Sequence, residues 1–152
     1  MHFLKRRLCL FLLLVLAGGA FCEAKQVAVI VDKANTTADL TLADLVKILK
    51  GENHKWPDGK NVVVVLRDLS SPEMQIAMQK LYKMQPDELK ALIAAHKGTI
   101  VVAGTDEELL NMVATTPGAL GLVDVYSITN RVTVLKVDGK LPLQQGYILK
   151  GN

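Results

Sequence analysis

Five consecutive aliphatic residues, Val62-Val63-Val64-Val65-Leu66, stand in a mostly polar stretch between Glu52 and Ser71. A strand with one wet face would alternate apolar and polar residues. A run this short and this apolar reads instead as a strand buried on both faces. Val27-Ala28-Val29-Ile30-Val31 repeats the pattern. Strands covered on both sides need helices above and below the sheet, so the intervening segments must supply amphipathic helices.

They do. After a polar loop from Asp32 to Asp39, Leu42, Leu45, Val46 and Leu49 mark one helical face. Thr41, with Asp44 three residues on, can cap its start, and Gly51 can end it. Pro57-Asp58-Gly59 is a turn before the Val62 run, and Trp56 beside it reads as a packing anchor over a helix–strand corner. A helix starts near Pro72, with Met74, Ala77, Met78 and Leu81 inward. Another starts at Pro86, with Asp87 and Glu88 against its positive end. Its stripe is Leu89, Leu92, Ile93 and His96, and Gly98 closes it. Ile100 to Ala103 is a third strand candidate. Thr105 and Glu108 form a second capping box, before a helix carrying Leu109, Met112 and Val113. Thr116-Pro117-Gly118 stops that helix. Ala119 to Val123 and Val132 to Val137 read as strands, Asp138-Gly139 as a turn, and Gly146-Tyr147-Ile148-Leu149 as a short edge strand.

This order predicts an α/β fold: a three-layer sandwich with a largely parallel central sheet and antiparallel pairing near the C-terminus. Ligands of such sheets usually sit beyond the carboxyl ends of strands, here the loops after Val31 and Leu66.

The first residues read differently. Met1 to Arg7 is basic, Leu8 to Leu16 almost purely apolar, and Ala17-Gly18-Gly19-Ala20 supplies small residues. This is the pattern of a cleavable export signal, and the apolar run falls short of the roughly 20 residues of a spanning helix. Cleavage fits after Ala20 or after Ala24. Phe21 stands where a lipoprotein signal before Cys22 would have a small residue, so the lipidated form is disfavoured. The expected organisation is a signal over residues 1–24 and one domain over 25–152, in the periplasm. The whole chain has 152 residues, 18 basic and 15 acidic; without the first 24 it has 128, with 15 basic and 14 acidic. That balance disfavours nucleic acid as a partner. Both cysteines, Cys9 and Cys22, leave with the signal, so the domain must be held by its core alone.

Catalytic and metal patterns are weak. His54 and His96 are the only histidines after Leu4-proximal His2, and they fall in unrelated segments. No HxxxH, HExxH, GxSxG, Walker A or GxGxxG pattern occurs. His96 reads as a core or boundary residue, and Glu107-Glu108 as first-turn acids. The expectation is a non-enzymatic protein with no cofactor and no metal.

The segment after Leu66 carries the most chemistry. Arg67 follows the strand directly, then Asp68, then Ser70 and Ser71 at a helix start. A helix N-terminus favours anions, an Arg fork matches phosphate or carboxylate oxygens, and Ser hydroxyls donate. The same residues also admit a plain reading, with Ser70 or Ser71 an N-cap ahead of Pro72 and Arg67 paired to Asp68 or another surface acid. Pro72 removes a backbone donor and Glu73 adds a negative charge. Asn35 and Thr36, after the Val27 run, can add polar groups or be solvated turn residues.

Leu40-Thr41-Leu42-Ala43-Asp44-Leu45-Val46-Lys47-Ile48-Leu49-Lys50-Gly51 and Trp56-Pro57-Asp58-Gly59, with Thr116-Pro117-Gly118-Ala119-Leu120-Gly121-Leu122-Val123, resemble the second lobe of phosphate ABC-transporter substrate-binding proteins. The resemblance runs from Gln26 to the C-terminus. It implies one lobe of a type II periplasmic binding fold. It places Val31 to Asn35 at the family's strand end, and Arg67 to Ser71 where the family has Arg, a spacer and Ser-Gly-Thr. The implied ligand is phosphate or a similar oxyanion, and the implied site is Arg67, Asp68, Ser70, Ser71, Asn35 and Thr36. Here Ser71-Pro72-Glu73 replaces Ser-Gly-Thr, so only the serine carries over. The family's acidic acceptor aligns nearer Leu69, with Asp68 one position off. The family closes two lobes on its ligand, whereas the Val27 run begins just after the signal, so a single lobe is expected. A lone lobe leaves an anion partly in water, where its attraction weakens. The alternative role is a ligand-free interaction or accessory module, with an ABC permease, an exported protein or a second copy of the chain as partner.

Overall fold

A computed structural model describes residues 24–151. The expected export signal over residues 1–24 and its expected cleavage point after Ala20 fall, apart from Ala24, outside the described residues. A five-stranded sheet carries the fold, in the order β4-β3-β5-β1-β6. Its strands are β1 (Val27–Asp32), β3 (Val63–Arg67), β4 (Ile100–Ala103), β5 (Ala119–Asp124) and β6 (Val132–Val134). A second, two-stranded sheet pairs β2 (Asp39–Leu40) with β7 (Lys136–Val137) in parallel. The helices are α1 (Leu42–Leu49), α2 (Pro72–Ala77), α3 (Pro86–Ala95) and α4 (Asp106–Thr115).

Both apolar runs are central strands, as their composition demands. Every residue of β1 is buried, including Asp32. Its side chains alternate between the two faces. Val27, Val29 and Val31 join Leu45, Leu49, Met74, Leu81 and Leu89 under α1, α2 and α3. Ala28 and Ile30 join Leu109, Val113, Ala119 and Val123 under α4. These are the three layers expected of a doubly covered sheet.

The direction of β1 differs from the expectation of a largely parallel sheet. β3 runs parallel to β4 and β5. β1 runs antiparallel to both its neighbours, pairing Val27 with Asp124 and Ile30 with Val134. The sheet is therefore mixed. The segment between β1 and β3 need not return along the sheet, because β1 ends at the edge where β3 begins. The continuous run at 132–137 is also divided: Leu135 donates its N–H to Val29 O (2.8 Å), and β7 then leaves the large sheet to meet β2. The tail forms no strand. Tyr147 is buried with its hydroxyl on Val27 O (2.6 Å), and Val27 N–H reaches Leu149 O (2.8 Å).

The caps follow the sequence. Thr41 Oγ1 accepts Asp44 N–H (3.1 Å), Ser71 Oγ accepts Met74 N–H (3.3 Å), and Thr105 Oγ1 accepts Glu108 N–H (3.1 Å). α2 continues without a break into a π-helical turn, Met78–Tyr82, which ends on Lys83 in the left-handed region (φ 51°). Tyr82 is buried in this turn, its hydroxyl donating to Leu49 O (3.2 Å), and burial pushes its pKa up. Among the described residues no helix is long and apolar enough to cross a membrane.

Candidate functional site

Arg67 is the last residue of β3 and lies opposite Ala103 in β4. The chain leaves β4 through Gly104 and enters α4 at Asp106, so this register brings Asp106 to Arg67. The guanidinium Nη1 pairs with the Asp106 carboxylate, and Nη2 donates to Gly104 O (3.3 Å). Asp106 also accepts the Ser127 hydroxyl (2.5 Å) from the single 3-10 turn after β5. Both charged side chains are half-buried, at 16% and 27% exposure, so water does little to loosen the pair. Arg67 Nε is buried without a partner.

The loop that follows is tied to itself. Asp68 Oδ1 accepts both the N–H (2.9 Å) and the hydroxyl (3.0 Å) of Ser70. These two bonds, helped by the nearby charges of Arg67 and Lys90, hold the Asp68 carboxyl below its usual range. Ser71 donates its N–H to Asp68 O (2.9 Å), and its side chain is the buried N-cap of α2. Pro72 follows with no N–H to offer. Glu73 is buried, and one of its oxygens meets Lys25 Nζ at 3.1 Å while the other has no partner. Lys25 also reaches Asp124 at 3.1 Å. Burial alone would lower the Lys25 pKa, but the bonds and charges of Asp124 and Glu73 outweigh it and hold it above the ordinary value.

Arg67, Asp68, Ser70 and Ser71 thus share one end of the sheet. Asn35 and Thr36 do not join them. Because β1 is antiparallel to β5 and β5 is parallel to β3, the loop after β1 lies where β3 begins, at the other end of the sheet. There Asn35 and Thr36 border an open pocket of about 270 Å³ with Pro57 and Asp58. Asn35 Oδ1 accepts Thr37 N–H (2.9 Å), which is ordinary turn chemistry. Gly118 anchors the same end: its carbonyl accepts Trp56 Nε1–H (2.8 Å) and Val63 N–H (3.1 Å), and its N–H meets buried Asp32 (3.2 Å). Trp56 is the packing anchor its position suggested.

A hollow of about 370 Å³ lies beside the Arg67 loop, floored by Leu69, Ile93 and Val102 and edged by Asp68, Lys90 and Lys97. Arg67 and the two serines are not on its wall. His96 is half-buried at the end of α3, with Nδ1 on Leu92 O (2.9 Å). Among the described residues no group of three His, Cys, Asp or Glu is placed to hold a metal ion.

Sequence reading missed Asp106 and Gly104 as partners of Arg67, and Ser127 as a partner of Asp106. The signal that could have found Asp106 is an acid at the start of the helix after Ile100–Ala103, given that this strand flanks β3.

A three-layer α/β fold with a mixed five-stranded sheet is the class that these layers and this strand order define. No protein-family model and no curated protein sequence matches the chain. Among solved structures, the chain is similar to PstS from Borrelia burgdorferi at 20% identity and a TM-score of 0.70, over 85% of this chain and 55% of that one. It is similar to an ABC-type phosphate transport receptor from Vibrio cholerae at 20% identity and a TM-score of 0.67, over 78% and 48%. It is similar to a putative phosphate ABC transporter substrate-binding protein from Clostridium perfringens, solved with bound phosphate, at 22% identity and a TM-score of 0.65, over 76% and 46%. At these identities the likeness is one of fold. The chain spans about half the length of the proteins it matches.

Proposed function

We propose that this is an exported, non-enzymatic binding-protein lobe that works by contact with another protein, with its oxyanion loop satisfied from within. The observation that carries this reading is the carboxylate of Asp106 on the guanidinium of Arg67. An entering phosphate would have to displace it, and would meet Asp68 beside the serines it needs. Three donors of the loop are turned inward: Ser70 gives its N–H and hydroxyl to Asp68, Ser71 gives its N–H to Asp68 O, and Pro72 has none to give. Fixed hydrogen bonds to carboxylates are the strong kind, so this arrangement competes well with a dilute anion.

Retained phosphate binding is the second reading. The buried, unpartnered Nε of Arg67 favours it, as does the fold shared with a protein solved with phosphate bound. Calorimetric titration with phosphate and with sulfate separates the two. The expected result is no saturable heat at millimolar phosphate in the wild type, and binding uncovered in Asp106→Asn, where the fork is freed. Saturable phosphate binding by the wild type, abolished in Arg67→Ala, would overturn the first reading and establish the second.

A further inference from the structure

We infer that the groove between α1 and the π-helical turn is the docking site, and that its occupant is an acidic, partly apolar segment of a partner protein. This rests on the protein-contact reading above and names the surface and the partner chemistry. The groove is about 550 Å³. Its floor is aliphatic, from Leu42 and Val46 of α1 and Leu81 of the π turn. Its rim carries Lys47, Lys50, Lys80 and Lys83, against the single acid Glu52.

The charge is concentrated rather than diffuse. Residues 24–151 hold 15 basic and 14 acidic side chains, an excess of one. The groove alone holds four lysines and one acid. None of these lysines forms an ion pair among the described residues, and Lys80 gives its ammonium only to Ile148 O (3.3 Å). Clustered unpaired cations around a half-buried apolar floor repel one another and gain from an anionic partner with an apolar side chain to bury.

The shape points to a chain rather than a compact ligand or a flat bilayer. A second hollow of about 410 Å³, lined by Gln75, Met78, Gln79, Met84, Gln85 and Pro86, lies on the other side of Lys83. Lys83 borders both hollows. An extended segment lying across Lys83 would pass from lysines and aliphatic side chains to amides and methionines. Amides can bond a peptide backbone, and methionine adapts to varied side chains. The element between the hollows is unusual in itself. π turns are rare and concentrate at functional sites, and Lys83 accepts a left-handed backbone that favours glycine.

The test is a fluorescence titration of the protein, purified as its host processes it, with a labelled synthetic amphipathic peptide bearing Glu and Asp on one face and Leu on the other. The expected result is saturable binding that weakens with added salt and by at least about tenfold in the double variant Lys47→Glu/Lys83→Glu. Both lysines are exposed, so unchanged circular dichroism should accompany the loss. A Lys-for-acid peptide should not bind, and vesicles of anionic phospholipid should not either. No binding of the acidic peptide, binding indifferent to the double variant, or binding of vesicles in place of peptide would each overturn the inference. Cross-linking in the host then separates the two readings. A partner trapped equally by wild type and double variant refutes the groove and leaves the protein-contact role standing. Phosphate binding by the wild type refutes that role itself.

Discussion

Gly118→Ala should be the most costly single-methyl change in the domain, and the structure says how costly. Gly118 has φ +81°, and a Cβ there would overlap the carbonyl oxygen of Asn61, a backbone atom without freedom to turn aside. The left-handed conformation alone costs a non-glycine residue about 1–2 kcal/mol. Relieving the overlap moves a carbonyl that accepts two hydrogen bonds, from Trp56 Nε1 and Val63 N, and an N–H that serves the buried Asp32. At about 1 kcal/mol for each of these three bonds weakened, the total reaches about 4–5 kcal/mol. A domain of this kind has about 5–15 kcal/mol in all. Gly59 provides the control, because its φ is +88° and an added Cβ meets nothing within 4 Å. Gly59→Ala should lose only the conformational share, about 1–2 kcal/mol. Urea unfolding of the two variants, followed by tryptophan fluorescence, measures the difference. Equal losses would refute the overlap argument and leave the Trp56–Gly118–Asp32 corner without special weight.

Two further predictions concern charge. In Ser70→Ala the Asp68 carboxyl loses one of the two bonds that hold it low, so an NMR titration should find its pKa nearer to 3.8 than in the wild type; no change would remove the hydroxyl from the account. The Lys25 pKa is raised above 10.5 by Asp124 and Glu73, so its contribution to stability is complete below 10.5 and disappears as pH rises through the folded value. Lys25→Met should therefore flatten the alkaline limb of a stability–pH curve; an unaltered limb would refute the assignment.

The layers were legible because Val27–Val31 and Val62–Leu66 read as doubly buried strands, and because Thr41 and Thr105 are caps on local grounds; the next cap was legible only as Ser70 or Ser71, of which the structure uses Ser71. Strand direction was not legible. Whether β1 runs with or against β3 depends on which strand lies between them, and β5 arrives about 90 residues later in the sequence. The candidate site inherited that uncertainty. Arg67, Asp68, Ser70 and Ser71 are near one another in the chain, so local reasoning kept them together. Asn35 and Thr36 joined them only through an assumed common sheet end, which the antiparallel β1 removes. Asp106 escaped notice because its meeting with Arg67 is a matter of β3–β4 register. The short β2–β7 pair carries too few residues for any pattern to announce it.

The placement of β1 also has a bearing on when the domain can exist. Its partners are β5 and β6, and Val27 and Lys25 are further tied to Leu149 and Gly151. A chain made from its N-terminus delivers β1 long before any of these. Until they emerge, the strand buried on both sides in the finished sheet is an unpaired apolar ribbon. Closing so long a loop is slow, and the exposed ribbon can pair wrongly in the interval. The sheet of such a chain stays incomplete through most of its synthesis, and an incomplete sheet is open to a chaperone or to passage through a narrow pore. It closes only when its first strand meets the strands made after it.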